Sequence, residues 1–164
     1  MISYINIISE FFPKVQCYAI GDGAAYNTLI HSGGDPIPSI EALNVAILSK
    51  RKIEKITAFS DNARNEIVNG FLSSALGTSF YYDSQPEDQL NLVGVVASFQ
   101  ESLYPCRSNG PTSPKEYRLH THAQLLQILY EGKNIKLVIL EKFNNKKALV
   151  ISVTTIEELD TVVW

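Results

Sequence analysis

The sequence is poor in the residues on which disulfide-rich, zinc-binding and many catalytic proteins depend. Its 164 residues include two cysteines, Cys17 and Cys106, which are too few for a disulfide framework and do not have the spacing of metal ligands. Only three histidines are present, which leaves little side-chain material for acid–base chemistry near neutral pH. We therefore expect two free thiols, no cofactor and no bound metal.

Long apolar runs and an excess of positive charge are also missing. No stretch approaches the roughly 18 consecutive apolar residues of a membrane-spanning helix. The apolar first twelve residues are interrupted by Glu10 and lack the basic region and cleavage site of a signal peptide. The net charge of −3 offers no attraction to nucleic acid or anionic membranes, and the basic run at 50–55 (KRKIEK) lies in a helical pattern that favours solvent. We expect a soluble protein with no nucleic-acid or membrane partner.

The chain begins with the pattern of a β-hairpin. Residues 15–20 (VQCYAI) and 26–31 (YNTLIH) favour strands, and the connector GDGAA at 21–25 suits a hairpin with a longer loop. The following SGGDPIP contains two glycines and two prolines, which interrupt regular secondary structure and predict a boundary near Pro36. The sequence therefore predicts an N-terminal hairpin module at 1–37 and a helical domain at 38–164.

A long helical pattern follows the hairpin. Apolar residues recur at spacings of mostly three and four over 39–76, either as one helix or as two with a second cap at 60–62. The apolar stripe must be covered, either by the chain's own C-terminal helices or by other copies of the chain. Self-association as a trimer is the favoured oligomer, and its interface residues are predicted to be Ile40, Leu43, Ile47, Ile53 and Ile56.

The remaining residues alternate short strands with helices. Residues 78–82 favour a strand, and a helix is predicted to begin near Pro86. The prolines and glycine of 104–114 predict a loop, and 115–119 favours a strand that could pair with 78–82. Helices are predicted at 121–132, at 133–149 and after Thr155, which has capping-box spacing to Glu158. The expected fold is α+β: an N-terminal hairpin, a long helix, and a helical C-terminal domain with a small antiparallel sheet.

Two groups of residues invite a chemical interpretation. His120 and His122 have the spacing that places two imidazoles on one side of a strand, but nothing completes a metal shell. Asp83, Glu87 and Asp88 lack the alternating ligands of a calcium loop, and acidic residues in a first helical turn are explained by the helix dipole. Nothing brings Cys106 beside an activating histidine. We expect a protein that is not an enzyme.

Four stretches between residue 60 and the end carry a resemblance. They are RNEIVNGFLSSALG (64–77), FYYDSQPEDQLNL (80–92), KEYRLHTHAQLLQIL (115–129) and TTIEELDTVVW (154–164). In combination, from about residue 60 to the end, they resemble a domain of unknown function found in bacteriophage tail proteins, many of them tail fibres. Residues 12–44 look like the short leader that precedes this domain. The resemblance implies a role in the virion or in tail assembly, and it supplies no catalytic residues.

Two functions fit this resemblance. In the first, the protein is a virion component, made in the host cytoplasm, that docks through its N-terminal module onto other tail or baseplate proteins. In the second, it is a cytoplasmic tail-fibre assembly chaperone that is not retained in the particle. An isolated hairpin is marginal in water, so its apolar side chains should either contact a partner or pack on the chain's own long helix. The predicted partner-binding residues are Tyr18, Ile20, Tyr26, Leu29 and Ile30.

Overall fold

The computed structural model describes residues 3–21, 23, 25–108 and 110–164, and it confirms the α+β class with an N-terminal hairpin, a long helix and a helical C-terminal region. Asp22 and Ala24 of the predicted connector, Asn109 of the predicted loop, and residues 1 and 2 lie outside the described residues. The helices are α1 (Tyr4–Phe11), α2 (Ile40–Val68), α3 (Pro86–Ala97), α4 (His122–Ser152) and α5 (Ile156–Thr161). The strands are β1 (Val15–Ala19), β2 (Leu29–Gly34), β3 (Phe71–Ser73), β4 (Phe80–Tyr82), β5 (Ser102–Cys106) and β6 (Glu116–His120).

The strands form antiparallel pairs, β1 with β2, β3 with β4 and β5 with β6. The residues divide into two compact units, one made of 1–57 and 149–163 and the other of 58–148 and Trp164. This division differs from the boundary expected near Pro36, because the first part of α2 packs with the hairpin. No helix among the described residues combines the length and the apolar character needed to cross a membrane.

Helix α1, which the sequence patterns did not indicate, is central to the first unit. Ile7 and Ile8 are fully buried and pack with Leu43 and Ala46 of α2. Around them lie half-buried apolar side chains from α1, from the hairpin and from the segment before α2. The hairpin therefore has an inner face that is covered by helices of its own chain.

The sequence analysis expected the basic run of α2 to face solvent. Instead, two of its lysines bind the last segment of the first unit. Lys52 Nζ donates to the carbonyl oxygens of Ile151 and Val153, at 2.9 and 2.6 Å, and Lys55 Nζ donates to the carbonyl of Leu159. These carbonyls lie at or near helix C-termini, where they lack helical partners and attract cations. The basic run therefore holds residues 149–163 in the first unit.

The long helix is one helix, and the prediction that it continues to residue 76 is wrong. It ends at Val68 because Gly70 adopts a φ of 87°, and a Cβ there would lie 2.6 Å from the Tyr82 carbonyl oxygen. Only glycine reaches this conformation without strain and permits this close approach. The residues after Gly70 form β3, in which Phe71 pairs with Tyr82.

Three further predictions are wrong. Strand β6 pairs with β5 and not with residues 78–82, and β5 includes the first residues of the predicted loop. Pro105 within β5 hid this strand, because proline usually argues against a strand interior. Helix α4 also continues through Gly132 to Ser152, while the final helix has the predicted capping box of Thr155 and Glu158.

The core of the second unit is rich in aromatic side chains. Tyr82 is 1% exposed and lies 6.0 Å from the Phe71 ring and 6.3 Å from the Tyr104 ring, measured between centroids. Leu125 and Ile128 of α4 are fully buried against this group. Burial of these side chains fixes α4 on the strands.

Candidate interaction surfaces

The N-terminal hairpin has an exposed apolar face. Along β1 the side chains alternate between half-buried and exposed, and Tyr18 stands directly opposite Ile30 of β2. Tyr18 is 54% exposed and Ile20 is 65% exposed, while Ile30 is half-buried. We call Tyr18, Ile20 and Ile30 the outer face of the hairpin.

The other two residues predicted to bind a partner belong to the chain's own core. The Tyr26 hydroxyl donates to the Pro38 carbonyl at 3.0 Å, and its ring meets the Tyr4 ring edge-on at 6.1 Å. Leu29 packs against the cluster around Ile7 and Leu43. For Tyr26 and Leu29 the prediction of a partner contact is therefore corrected, because packing on the chain's own helices uses these side chains.

The predicted interface on the long helix is divided between core and surface. Leu43 is fully buried and Ile47 packs on the same cluster, so Leu43 is not available to another copy of the chain and that prediction is wrong. Ile56 is half-buried, Ile40 is 39% exposed and Ile53 is 62% exposed. Helix α1 covers the first part of the stripe, and Ile53 lies outside this covered part.

A second exposed apolar face lies on the β5–β6 hairpin, where the sequence analysis placed no interaction site. Leu103 stands opposite Leu119, and these side chains are 62% and 57% exposed. Tyr117, opposite Pro105, is 69% exposed. The alternation in EYRLH could have suggested this face, but Pro105 concealed the partner strand.

His120 is a buried structural residue. Its Nδ1 lies 2.8 Å from the Arg118 carbonyl oxygen, and its Nε2 lies 2.9 Å from the Tyr82 hydroxyl. A carbonyl only accepts hydrogen bonds, so Nδ1 carries the proton and Nε2 accepts from Tyr82. Burial lowers the pKa of His120, which keeps the ring neutral.

His122 does not share a site with His120. Its Nε2 lies 3.1 Å from the Val96 carbonyl, and its ring lies 5.2 Å from the Phe99 ring. No group of three or more His, Cys, Asp or Glu side chains suited to a metal occurs among the described residues. The two imidazoles instead connect β6 and α4 to different neighbours.

The acidic residues near Pro86 are paired with cations of the chain itself. Asp83 lies 3.1 Å from Arg107 and 2.8 Å from Lys115, and Asp88 lies 3.5 Å from Lys115. Burial opposes ionisation of Asp83, but the hydrogen bonds from Arg107 and Lys115 prevail and hold its pKa below the usual value. These carboxylates join the start of α3 to the β5–β6 hairpin.

Cys106 lacks the surroundings of a nucleophile. Its side chain is 2% exposed, and burial raises the pKa of the thiol. In the β5–β6 register Cys106 stands opposite Glu116, whereas His120 stands opposite Ser102 at the other end. The register therefore places the two residues at opposite ends of the hairpin, and Tyr82 interacts with both side chains.

No protein-family model, no curated protein and no solved structure matches this chain. The resemblance to a domain of bacteriophage tail proteins therefore stays a prediction from the residues that carry it.

Proposed function

We propose that this chain is a non-enzymatic structural component of a bacteriophage tail, a small fibre or baseplate-associated subunit that is made in the host cytoplasm and retained in the virion. Its partners are other tail or baseplate proteins, which it contacts through the outer face of the N-terminal hairpin. The observation that carries this proposal is the two-sided hairpin: its inner face is covered by α1 and α2, while Tyr18 and Ile20 remain exposed.

The chemistry of the outer face suits a protein partner. A tyrosine offers a large apolar ring with a polar hydroxyl group, and such side chains are common energetic anchors at interfaces. Tyr18 and Ile30 form a cross-strand pair beside Ile20, so three apolar side chains lie close together on a backbone held by its own core. Little conformational entropy is lost when such a preorganised face is covered.

The absence of catalysis is part of the proposal, and the state of the reactive side chains supports it. His120 makes two hydrogen bonds within the chain, Asp83 is paired with two cations, and the pKa of Cys106 is raised. A general base or nucleophile needs a free position and a pKa suited to its task. These three groups lack that combination.

We also propose self-association, with a trimer favoured, in which Ile53 contributes to the contact. Ile53 is 62% exposed on α2, and Val45 on the same helix is 66% exposed. Isolated apolar side chains on a surface are common, so this proposal depends on the measured mass. Light scattering coupled to size exclusion should give three chains per particle, and Ile53→Asp should reduce that number, while a monomer at micromolar concentration contradicts it.

The docking proposal is tested by changing the outer face without disturbing the inner one. We expect Tyr18→Ser with Ile20→Ser to leave the unfolding transition nearly unchanged and to abolish incorporation into tails, measured by mass spectrometry of purified virions. The matched control is Leu72→Ser with Leu90→Ser, which removes two side chains that are 60% and 73% exposed in the other unit. This control should be incorporated normally.

Two results would contradict the docking proposal. If the unaltered chain is missing from purified virions but accompanies tail proteins during assembly, it is the assembly chaperone. If the Tyr18 and Ile20 variant enters tails normally, the outer face is not the docking surface. Deleting residues 1–37 is a poor test, because it also removes Ile7 and Ile8 from the core around Leu43.

A further inference from the structure

The second unit contains an apolar cleft between α3 and α4, with a volume of about 410 Å³. We propose that this cleft binds a small amphipathic anion, an aliphatic chain that ends in a single carboxylate. This inference goes beyond the proposed structural role. It depends on the shape of the cleft, on an accessible hydroxyl group within it and on the charges at its edge.

Glycine shapes the wall of the cleft. A Cβ at Gly132 would lie 2.7 Å from Cζ of Phe71, so the ring reaches the helix only because residue 132 has no side chain. Phe71 and the buried Leu92 of α3 then provide an apolar lining, together with Leu126 and Leu129 of α4. A glycine inside a long helix costs about 1 kcal/mol relative to alanine, and the close contact with Phe71 accounts for it here.

One hydroxyl group in the cleft makes no hydrogen bond within the described residues. Ser84 is 9% exposed and lines the cleft, yet its hydroxyl group makes no hydrogen bond to the part of the chain that the structure describes. Its carbonyl oxygen, by contrast, accepts from Gln89 Nε2 at 2.9 Å. The buried side-chain oxygen without a partner among the described residues is Glu131 Oε2, so the Ser84 hydroxyl is reached by solvent and can donate to a ligand oxygen or a water molecule.

The charges that line the cleft are of one sign. Lys133 and Lys136 are among the lining residues, which include no aspartate or glutamate. Neither lysine forms an ion pair within the described residues, whereas Lys115 and Lys142 both do. The two lysines are three residues apart on α4, and no acidic residue lies three or four positions from either. Like charges at this spacing repel, and an anion between them would relieve the repulsion.

The one acidic residue beside these lysines in the sequence does not compete for them. Glu131 is not part of the lining, and its Oε1 accepts a hydrogen bond from Gln127 at 2.8 Å. Its other carboxylate oxygen is buried without a partner among the described residues. Glu131 also contributes to raising the pKa of Tyr82, after the larger effect of burial, so its charge acts on the aromatic core.

The size of the cleft favours a small molecule over a protein segment. A volume of about 410 Å³ falls in the range of small-molecule sites, which combine apolar linings with a few polar groups. Each methylene group that leaves water for such a lining favours binding. The lysines add a preference for a negatively charged head group over a positive or neutral one.

The first experiment compares ligands with the same tail. Titration calorimetry of the full chain with sodium decanoate, below its micelle concentration, should detect saturable binding at one site per chain. Decyltrimethylammonium, which has the same tail and a positive head group, should bind at least tenfold more weakly. Equal binding of the two ligands, or binding without saturation, would overturn the proposal. If neither ligand binds, the small-molecule assignment is refuted, and an apolar protein segment becomes the better candidate for the cleft.

The second experiment uses matched variants on both helices. Lys133→Gln with Lys136→Gln should weaken decanoate binding about five- to tenfold, as expected for two partly exposed ion pairs. The control, Lys146→Gln with Lys147→Gln, removes the same charge from the same helix outside the cleft and should change affinity less than twofold.

The third experiment fills the cleft. Val93→Trp places a large ring at a lining position that is 51% exposed, so the fold should persist while decanoate binding is lost. The control is Leu90→Trp, on the same helix but not in the cleft lining, which should bind normally. If Val93→Trp remains folded by circular dichroism and binds decanoate with unchanged affinity, the ligand does not occupy this cleft and the proposal fails.

Discussion

The two units of the chain are stabilised in different ways. In the first unit the fully buried side chains are aliphatic, and its ion pairs and lysine–carbonyl bonds lie at exposed or partly exposed positions. In the second unit aromatic rings surround a buried hydrogen bond between Tyr82 and His120. Apolar burial tolerates side chains of similar volume, whereas a buried directional bond specifies one arrangement and one protonation state. The second unit should therefore be the more sensitive to polar changes and to pH.

The largest effect should come from truncating the aliphatic core. Leu43→Ala removes a fully buried side chain that contacts α1, and it should lower the free energy of unfolding by about 3 kcal/mol, from lost burial and the cavity left behind. Leu43→Met keeps the volume and should cost less than about 1.5 kcal/mol. Chemical denaturation measures both. A cost below about 1 kcal/mol for Leu43→Ala would mean that Leu43 is exposed, and would reopen it as an interface residue.

A smaller change in volume should still be costly in the second unit. Tyr82→Phe keeps the ring but leaves Nε2 of His120 without its donor, and should cost about 2 kcal/mol in the free energy of unfolding. The control is Tyr81→Phe, since the Tyr81 hydroxyl makes no hydrogen bond to another described residue. Its cost should stay below about 0.5 kcal/mol. Equal costs for the two variants would show that the buried bond contributes nothing specific.

The smallest effect is a dependence on pH. Burial lowers the pKa of His120 in the folded chain, so the unfolded chain binds more protons in mild acid. The stabilisation is complete above the unfolded pKa of about 6.5 and is lost as pH falls through the folded value, by at most about 1.4 kcal/mol per pH unit. Denaturation at several pH values between 7 and 5 should show this slope, and His120→Gln should remove it. An unchanged slope in that variant would assign the effect to another group.

The sequence predicted elements with strong local signals and missed those defined by distant contacts. The final helix was predicted because Thr155 and Glu158 satisfy each other's backbone groups. The end of α2 was not predicted, because the apolar spacing continues past Gly70. The chain turns there because Tyr82 approaches the Gly70 backbone closely, which a local pattern does not show. At Gly132 the error was the opposite one. A helix end was predicted there, but the helix continues, and the missing side chain leaves room for the Phe71 ring.

The interaction surfaces were predicted only in part for the same reason. Alternation along 15–20 separates Tyr18, in β1, and Ile20, just after it, from their neighbours, and both are exposed. Periodicity cannot say which apolar side chains are covered by their own chain, however, and the unrecognised α1 covers Leu43. The cleft was missed because it combines residues from α2, β3, α3 and α4, which have no shared sequence pattern.

The composition of the first unit has a consequence for how the protein is made on the ribosome. Residues 58–148, nearly all of the second unit, are synthesised before residues 149–163 that complete the first. The carbonyl partners of Lys52 and Lys55 lie about a hundred positions later in the chain, so these hydrogen bonds form only after that segment has been synthesised. The core of α1, the hairpin and the first part of α2 lies within residues 4–47, so it can form before the second unit is synthesised, in the usual order in which the N-terminal part folds earliest. The lysine–carbonyl bonds are therefore added last, and a released chain that ends at residue 148 should still protect α1 and the first hairpin from proteases.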